Sequence, residues 1–182
     1  MIEWVTQLDF SVLYRIQEAL TCPFLDFLMP KITFLGNAGG IWLLTAGILL
    51  LFPKYRRAEI LLLAGLAFGV LIGNVAMKNL FARPRPCWLD TGVNMLIAVP
   101  KDNSFPSGHT LSSVIATTVL TAADRRFALA AVPLAAGIAF SRLYLFVHFP
   151  TDVFASIILG IAIGIIVWEF GGRVLSRVHL AW

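Results

Sequence analysis

The chain has 182 residues, 59% of them hydrophobic and 13% charged, with a mean hydropathy of +0.85. That balance excludes an ordinary soluble domain and marks an integral membrane protein, all-α, a single domain with room for one bundle of five or six helices at about 20 residues per crossing. The net charge of +4 does not point to nucleic acid, because the 14 Lys and Arg residues are scattered among hydrophobic borders with no long basic run.

Positions 1–22 read as an amphipathic helix lying along the membrane interface. Val5, Leu8, Val12, Ile16 and Leu20 recur at helical spacing, with Glu3, Gln7, Arg15 and Glu18 between them. Glu3 and Asp9 fall where a signal peptide would carry a basic start and an apolar stretch, so a cleaved leader is not expected. Positions 24–182 read as the membrane bundle. Segment 24–35, interrupted by Pro30 and followed by Gly36-Asn37-Ala38-Gly39-Gly40, is either a short re-entrant helix or the start of a sixth, broken crossing. The strongest hydrophobic runs cover approximately 32–52, 60–77, 110–122, 127–146 and 153–170. The third is short, but a start at the Pro106 to His109 cluster brings it near a spanning length. His179, beyond the last run, reads as an interfacial residue. Cys22 and Cys87 fit neither metal spacing nor a disulfide framework and read as unpaired packing residues; a bond between them would require both to face an oxidising compartment.

Lys54, Arg56 and Arg57 lie between the first and second runs, Arg125 and Arg126 between the third and fourth, and Arg173 and Arg177 after the fifth. These regions share one side, the cytoplasm by the positive-inside rule. Three polar clusters fall at the other ends of the runs: Lys78 with Arg85-Pro86, then Pro106-Ser107-Gly108-His109, then Ser141-Arg142 with His148 and Asp152. An even number of crossings separates them, so all three reach the same, extracytoplasmic, membrane face.

Each cluster carries chemistry and also a plainer structural reading. Pro84 and Pro86 end the helix near Ala82 and push Arg83 and Arg85 toward extended backbone, so an arm bearing Arg85 folds over whatever Lys78 touches. The plainer alternative is a snorkelling basic helix end. Pro106 to His109 opens a helix, with Ser104 or Phe105 near the N-cap; free N–H groups, the helix dipole, Gly108 and the Ser107 hydroxyl suit an anion, or form a simple cap. Asp152, four residues after His148, is placed to hold one imidazole N–H and leave the other nitrogen free to attack, while Arg142 offers a planar fork to phosphate oxygens. Three cations around two imidazoles disfavour a divalent metal.

In this order and spacing, the three clusters resemble the signature of the type 2 phosphatidic acid phosphatase family, which also includes vanadium-dependent haloperoxidases. The resemblance implies that Lys78, Arg85 and Arg142 bind the phosphoryl oxygens, with Ser107 and the Gly108 N–H adding hydrogen bonds. It implies that His148, oriented by Asp152, forms a phosphohistidine, that His109 protonates the leaving oxygen, and that no metal or other cofactor takes part. The implied partner is a lipid phosphate or diphosphate held in the bilayer: undecaprenyl diphosphate first, phosphatidylglycerophosphate or phosphatidic acid next. Membrane runs argue against a haloperoxidase. A non-catalytic lipid-phosphate binder or transporter would need only the cations. The oligomeric state is not assigned.

Overall fold

The structure is a computed structural model that describes residues 3–177, and every regular element among them is helical. His179 lies outside the described residues. Helix α1 (Glu3–Leu20) is followed by α2 (Pro23–Leu35) and α3 (Gly40–Leu50), which meet at a bend of 48°. Pro30 is accommodated inside α2, and the break falls instead where Ala38 and Gly39 take left-handed backbone, φ 50° and 70°. Helix α4 (Arg56–Gly69) continues through a π-helical stretch (Val70–Met77) into α5 (Lys78–Phe81). It stops at Ala82, φ 42°, immediately before the two prolines that forbid further helix. One turn, α6 (Pro86–Leu89), precedes a long loop. Helices α7 (Gly108–Ala123), α8 (Ala128–Tyr144) and α9 (Pro150–Ile166) follow, and α9 runs through a second π-helical stretch (Val167–Gly171) into α10 (Gly172–Arg177).

Three stretches, Pro53–Leu89, Arg125–Tyr144 and Pro150–Arg177, are long and apolar enough to cross a membrane, and the bent pair α2–α3 makes a fourth if it is one span. The chain is thus a multi-pass membrane protein. Helix α7, at 16 residues, is shorter than a crossing.

Helix α7 is the axle of the bundle, packed against α4, α8 and α9. Leu111, Ile115 and Val119 are buried between α4 and α9. Close approach is possible because the neighbours present glycines: Gly65 and Gly69 face Ile115, while Gly160 and Gly164 face Val114 and Thr118. Trp42 of α3 adds a buried hydrogen bond from Nε1 to Ser113 Oγ, 2.9 Å.

At one end of this bundle the basic loops meet. Tyr55 donates to Asp124 at 3.0 Å, Lys54 lies 3.8 Å from Asp124, and the Arg57 guanidinium sits 5.2 Å from the Trp168 ring. The loops containing the three polar clusters gather at the other end. Helix α1 packs there too, turning Asp9 and Leu13 inward while Trp4, Leu8 and Val12 stay exposed, so its apolar stripe straddles the boundary between protein and surroundings. Cys22 and Cys87 are free thiols.

A side chain at Gly164 has nowhere to go, since even a Cβ would stand 2.6 Å from Thr118 Cβ, whereas one at Gly47 meets nothing within 4 Å. Gly164→Leu should therefore destabilise the bundle by about 1–3 kcal/mol. Thermal unfolding in detergent should show a lower Tm for that variant and an unchanged Tm for Gly47→Ala; equal Tm values would contradict the close α7–α9 contact.

Candidate active site

A cavity of about 910 Å³ opens at the end where the clusters gather, and its lining includes Lys78, Arg85, Gly108, His109, Arg142 and His148. Three separate pieces of chain supply them. Lys78 sits where α4 and its π-helical continuation end, and Arg85 follows on extended backbone, φ −83° and ψ 153°. Gly108 and His109 open α7. Arg142 lies in the last turn of α8, and its carbonyl accepts from the backbone N–H groups of Val147 (3.2 Å) and His148 (3.3 Å), folding the connection to α9 back on itself.

Arg85 is held from several sides. Its Nε donates to the carbonyl of Asp102 and its Nη1 to the carbonyl of Val147, both at 2.7 Å, while Nη2 donates to the Asp102 carboxylate at 2.8 Å. The same Nη1 stands 3.1 Å from His148 Nε2. A guanidinium has no lone pair to offer, so His148 Nε2 must be the acceptor and the ring proton must sit on Nδ1. Nδ1 lies 3.6 Å from Asp152 Oδ2, longer than a hydrogen bond but close enough to orient the ring. Burial pushes His148 down to about 3, with Arg85 and Arg142 adding to that and Asp152 opposing it. The imidazole is neutral at neutral pH, and its unprotonated Nε2, which accepts from Arg85, belongs to a residue of the cavity lining.

Asp152 is clamped from behind. Oδ2 accepts from the Ser104 hydroxyl and from the Phe149 N–H (2.9 Å), and Oδ1 accepts from Arg83 Nη1 at 2.6 Å. Arg83 is itself buried: Nη2 donates to Asp9 of α1 at 2.7 Å, and the guanidinium lies 4.0 Å from the Phe149 ring. Asp9 also accepts from the Thr151 N–H (3.0 Å) and hydroxyl (2.6 Å).

His109 Nε2 is 2.9 Å from Asn37 Oδ1, at the break between α2 and α3, and Gly36 leaves room for the ring. Arg142 Nη1 donates to Thr33 Oγ1 at 2.5 Å, whereas its buried Nε has no hydrogen-bond partner among the described residues. Lys78 pairs with Asp102.

One expectation is corrected. The N-cap of α7 is Ser107, not Ser104 or Phe105: its side chain accepts from Thr110 N–H, and it is fully buried outside the cavity lining. Ser104 serves Asp152 instead. The Ser107 N–H is also engaged, donating to Ser156 Oγ at 2.8 Å.

Several residues of this constellation, among them Asp9, Asn37, Arg83 and Asp102, were not singled out from sequence as site residues. Asp9 carried a signal, a carboxylate next to the apolar stripe of α1, where a charge needs a partner. Asp102 lies in the polar run Lys101-Asp102-Asn103-Ser104. Burial alone would raise its carboxyl, but Lys78 and Arg85 hold it down to about 2.

The all-helical bundle and its cation-lined cavity define a class of polytopic membrane protein with a basic pocket at one end. Residues 58–175 match the PAP2 superfamily, and the chain belongs to that family. An undecaprenyl-diphosphatase of Sulfolobus acidocaldarius is 31% identical over 66% of this chain and 58% of its own length, so the match spans less than two thirds of that relative. A decaprenylphosphoryl-5-phosphoribose phosphatase of Mycobacterium tuberculosis is 34% identical over 72% of each chain. Among solved structures, Aquifex aeolicus LpxE aligns with a TM-score of 0.73 at 28% identity, covering 89% of this chain and 95% of its own. A PAP2-type phosphatidylglycerolphosphate phosphatase from Bacillus subtilis aligns at 0.75 and 25% identity, covering 94% and 88%.

Between about pH 6.5 and about 3 the unfolded chain binds a proton on His148 that the folded chain does not. That contribution to stability is complete above the upper value and is lost as pH falls through the window. Tm should drop more steeply over that range in the wild type than in His148→Gln; parallel slopes would contradict a neutral buried imidazole.

Proposed function

We propose that the protein is a metal-independent lipid phosphatase that hydrolyses a phosphate or diphosphate monoester through a phosphohistidine on His148. The observation that carries this is the convergence of Lys78, Arg85, Arg142, His109 and His148 on one cavity whose lining also includes the apolar side chains of Phe34, Leu43, Leu63, Leu66 and Val70. A headgroup fits among the cations and a lipid tail along these apolar side chains.

Lys78, Arg85 and Arg142 hold the phosphoryl oxygens and offset the charge that spreads over them in the transition state, with the N-terminal turn of α7 at Gly108 adding its dipole. Ser107 supports that turn as its cap. His148 Nε2 attacks phosphorus, the bond to the leaving oxygen breaks, and His109 gives that oxygen its proton. As positive charge develops on His148, the Nδ1 proton is drawn toward Asp152. Water then attacks the phosphohistidine, giving its proton to His109, and inorganic phosphate departs. Two imidazoles and a buried carboxylate exceed what simple anion binding needs, which favours an enzyme over a lipid-phosphate binder or transporter.

The first substrate is undecaprenyl diphosphate, converted to undecaprenyl phosphate, in keeping with relatives whose names carry polyprenyl substrates. Phosphatidylglycerophosphate or phosphatidic acid is the second reading, the former in keeping with the name of the Bacillus structure. The molecule is one bundle of five to six crossings, with α7 inside it and α1 at the interface, where the exposed Trp4, Leu8 and Val12 would meet lipid. Lys54, Arg57 and Arg125 lie at the end opposite the cavity, which by the positive-inside rule supports a site on the extracytoplasmic face.

A panel of undecaprenyl diphosphate, phosphatidylglycerophosphate and phosphatidic acid in detergent tests the assignment by phosphate release. His148→Ala should lower turnover by about three orders of magnitude or more with Tm preserved, and near-normal turnover would exclude it as nucleophile. Activity should persist in EDTA and be inhibited by vanadate, which imitates five-coordinate phosphorus; loss in EDTA restored by a divalent ion would overturn the metal-free chemistry.

A further inference from the structure

Asp102 stands apart from the other site residues. It is an anion inside a site built of cations, its side chain is 56% exposed, and it belongs to the loop over the cavity rather than to a helix. Its carboxylate contacts Lys78 Nζ with one oxygen and Arg85 Nη2 with the other, the latter at 2.8 Å. Those donors are the ones a phosphoryl group would take.

The carboxylate does not hold Arg85 in place. Nε and Nη1 are fixed by the carbonyls of Asp102 and Val147, and Nη2 also reaches the Asn103 carbonyl at 3.3 Å. Lys78 is fixed by its helix, and its carbonyl accepts from Asn103 Nδ2 at 3.1 Å. If the carboxylate swings outward into the solvent it already touches, Arg85 keeps its carbonyl partners and the Lys78 backbone stays where its helix carries it, which leaves the ammonium without its carboxylate.

We infer that Asp102 is a selectivity residue, a tethered anion that competes with ligands for Lys78 and Arg85, so that multiply charged phosphate monoesters enter while singly charged phosphodiesters are kept out. The need is physical. A site at headgroup level faces bilayer phospholipids, most of them phosphodiesters, at concentrations that would fill an open cationic pocket by mass action. A singly charged diester only replaces the charge it displaces and leaves the tethered competitor desirous of return, whereas a dianion or a diphosphate brings more charge than Asp102 supplies. Specificity then comes from a penalty against the wrong ligand as well as attraction for the right one.

The inference rests on the phosphatase reading, and its test separates the two. Turnover of the best lipid of the panel, followed as loss of substrate, is measured against inorganic phosphate and against dimethyl phosphate, a singly charged diester without a tail. Wild type should be inhibited by phosphate and at least about tenfold more weakly by dimethyl phosphate, and Asp102→Asn should lower the inhibition constant for dimethyl phosphate by about tenfold, the scale of one charge-assisted hydrogen bond. Asp102→Glu, which keeps the charge, should retain the wild-type ratio. Equal inhibition of wild type by both anions sinks the inference even if Asp102→Asn does not fold. Weaker binding of both anions to a folded Asp102→Asn also overturns it, making Asp102 a strut for the two cations. Absence of phosphate release from every lipid by wild type overturns the phosphatase reading itself.

Discussion

The structure depends on a buried chain of charges: Asp9 on α1, Arg83 after α5 and Asp152 on α9. Arg83 bridges the two carboxylates at 2.7 and 2.6 Å, and all three side chains are almost wholly excluded from solvent. Removing one partner from such a group leaves an uncompensated charge in a low-dielectric interior, at a cost of about 3–5 kcal/mol. The consequence is specificity of position. Three elements far apart in sequence must meet at one point, and the carboxylate that orients His148 is fixed to within hydrogen-bonding tolerance because Arg83, Ser104 and the Phe149 N–H all grip it.

That arrangement separates two kinds of positive charge. Arg83 is saturated by carboxylates and shut away behind the site. Lys78, Arg85 and Arg142 line the cavity, and of these Arg142 keeps a buried Nε with no hydrogen-bond partner among the described residues. Two arginines only two residues apart thus have different partners: Arg83 is paired with Asp9 and Asp152, while Arg85 meets Asp102, the Val147 carbonyl and His148.

Helix packing delivers the residues to that end. Glycines on α4 and α9 let α7 pass between them at a separation no larger side chain would permit, and this sets where Gly108 and His109 emerge. The bend between α2 and α3 then supplies Asn37 to His109, and Thr33 of α2 supplies its hydroxyl to Arg142. The bent pair is therefore part of the site wall as well as a candidate crossing.

The sequence by itself determined the membrane class, the helical runs and the three clusters, since hydropathy, prolines and charge placement are local properties that survive without knowledge of packing. The stop at Ala82 and the extended backbone at Arg85 were legible for that reason. Tertiary structure alone decided that Asp9 belongs to the site's support, that Asp102 rather than solvent meets Lys78 and Arg85, and that Ser107 turns inward as a cap while Ser104 serves Asp152. Each of these is a choice of partner across a long sequence separation. A residue type announces that it needs a partner, but only the three-dimensional path of the chain selects which one comes within reach.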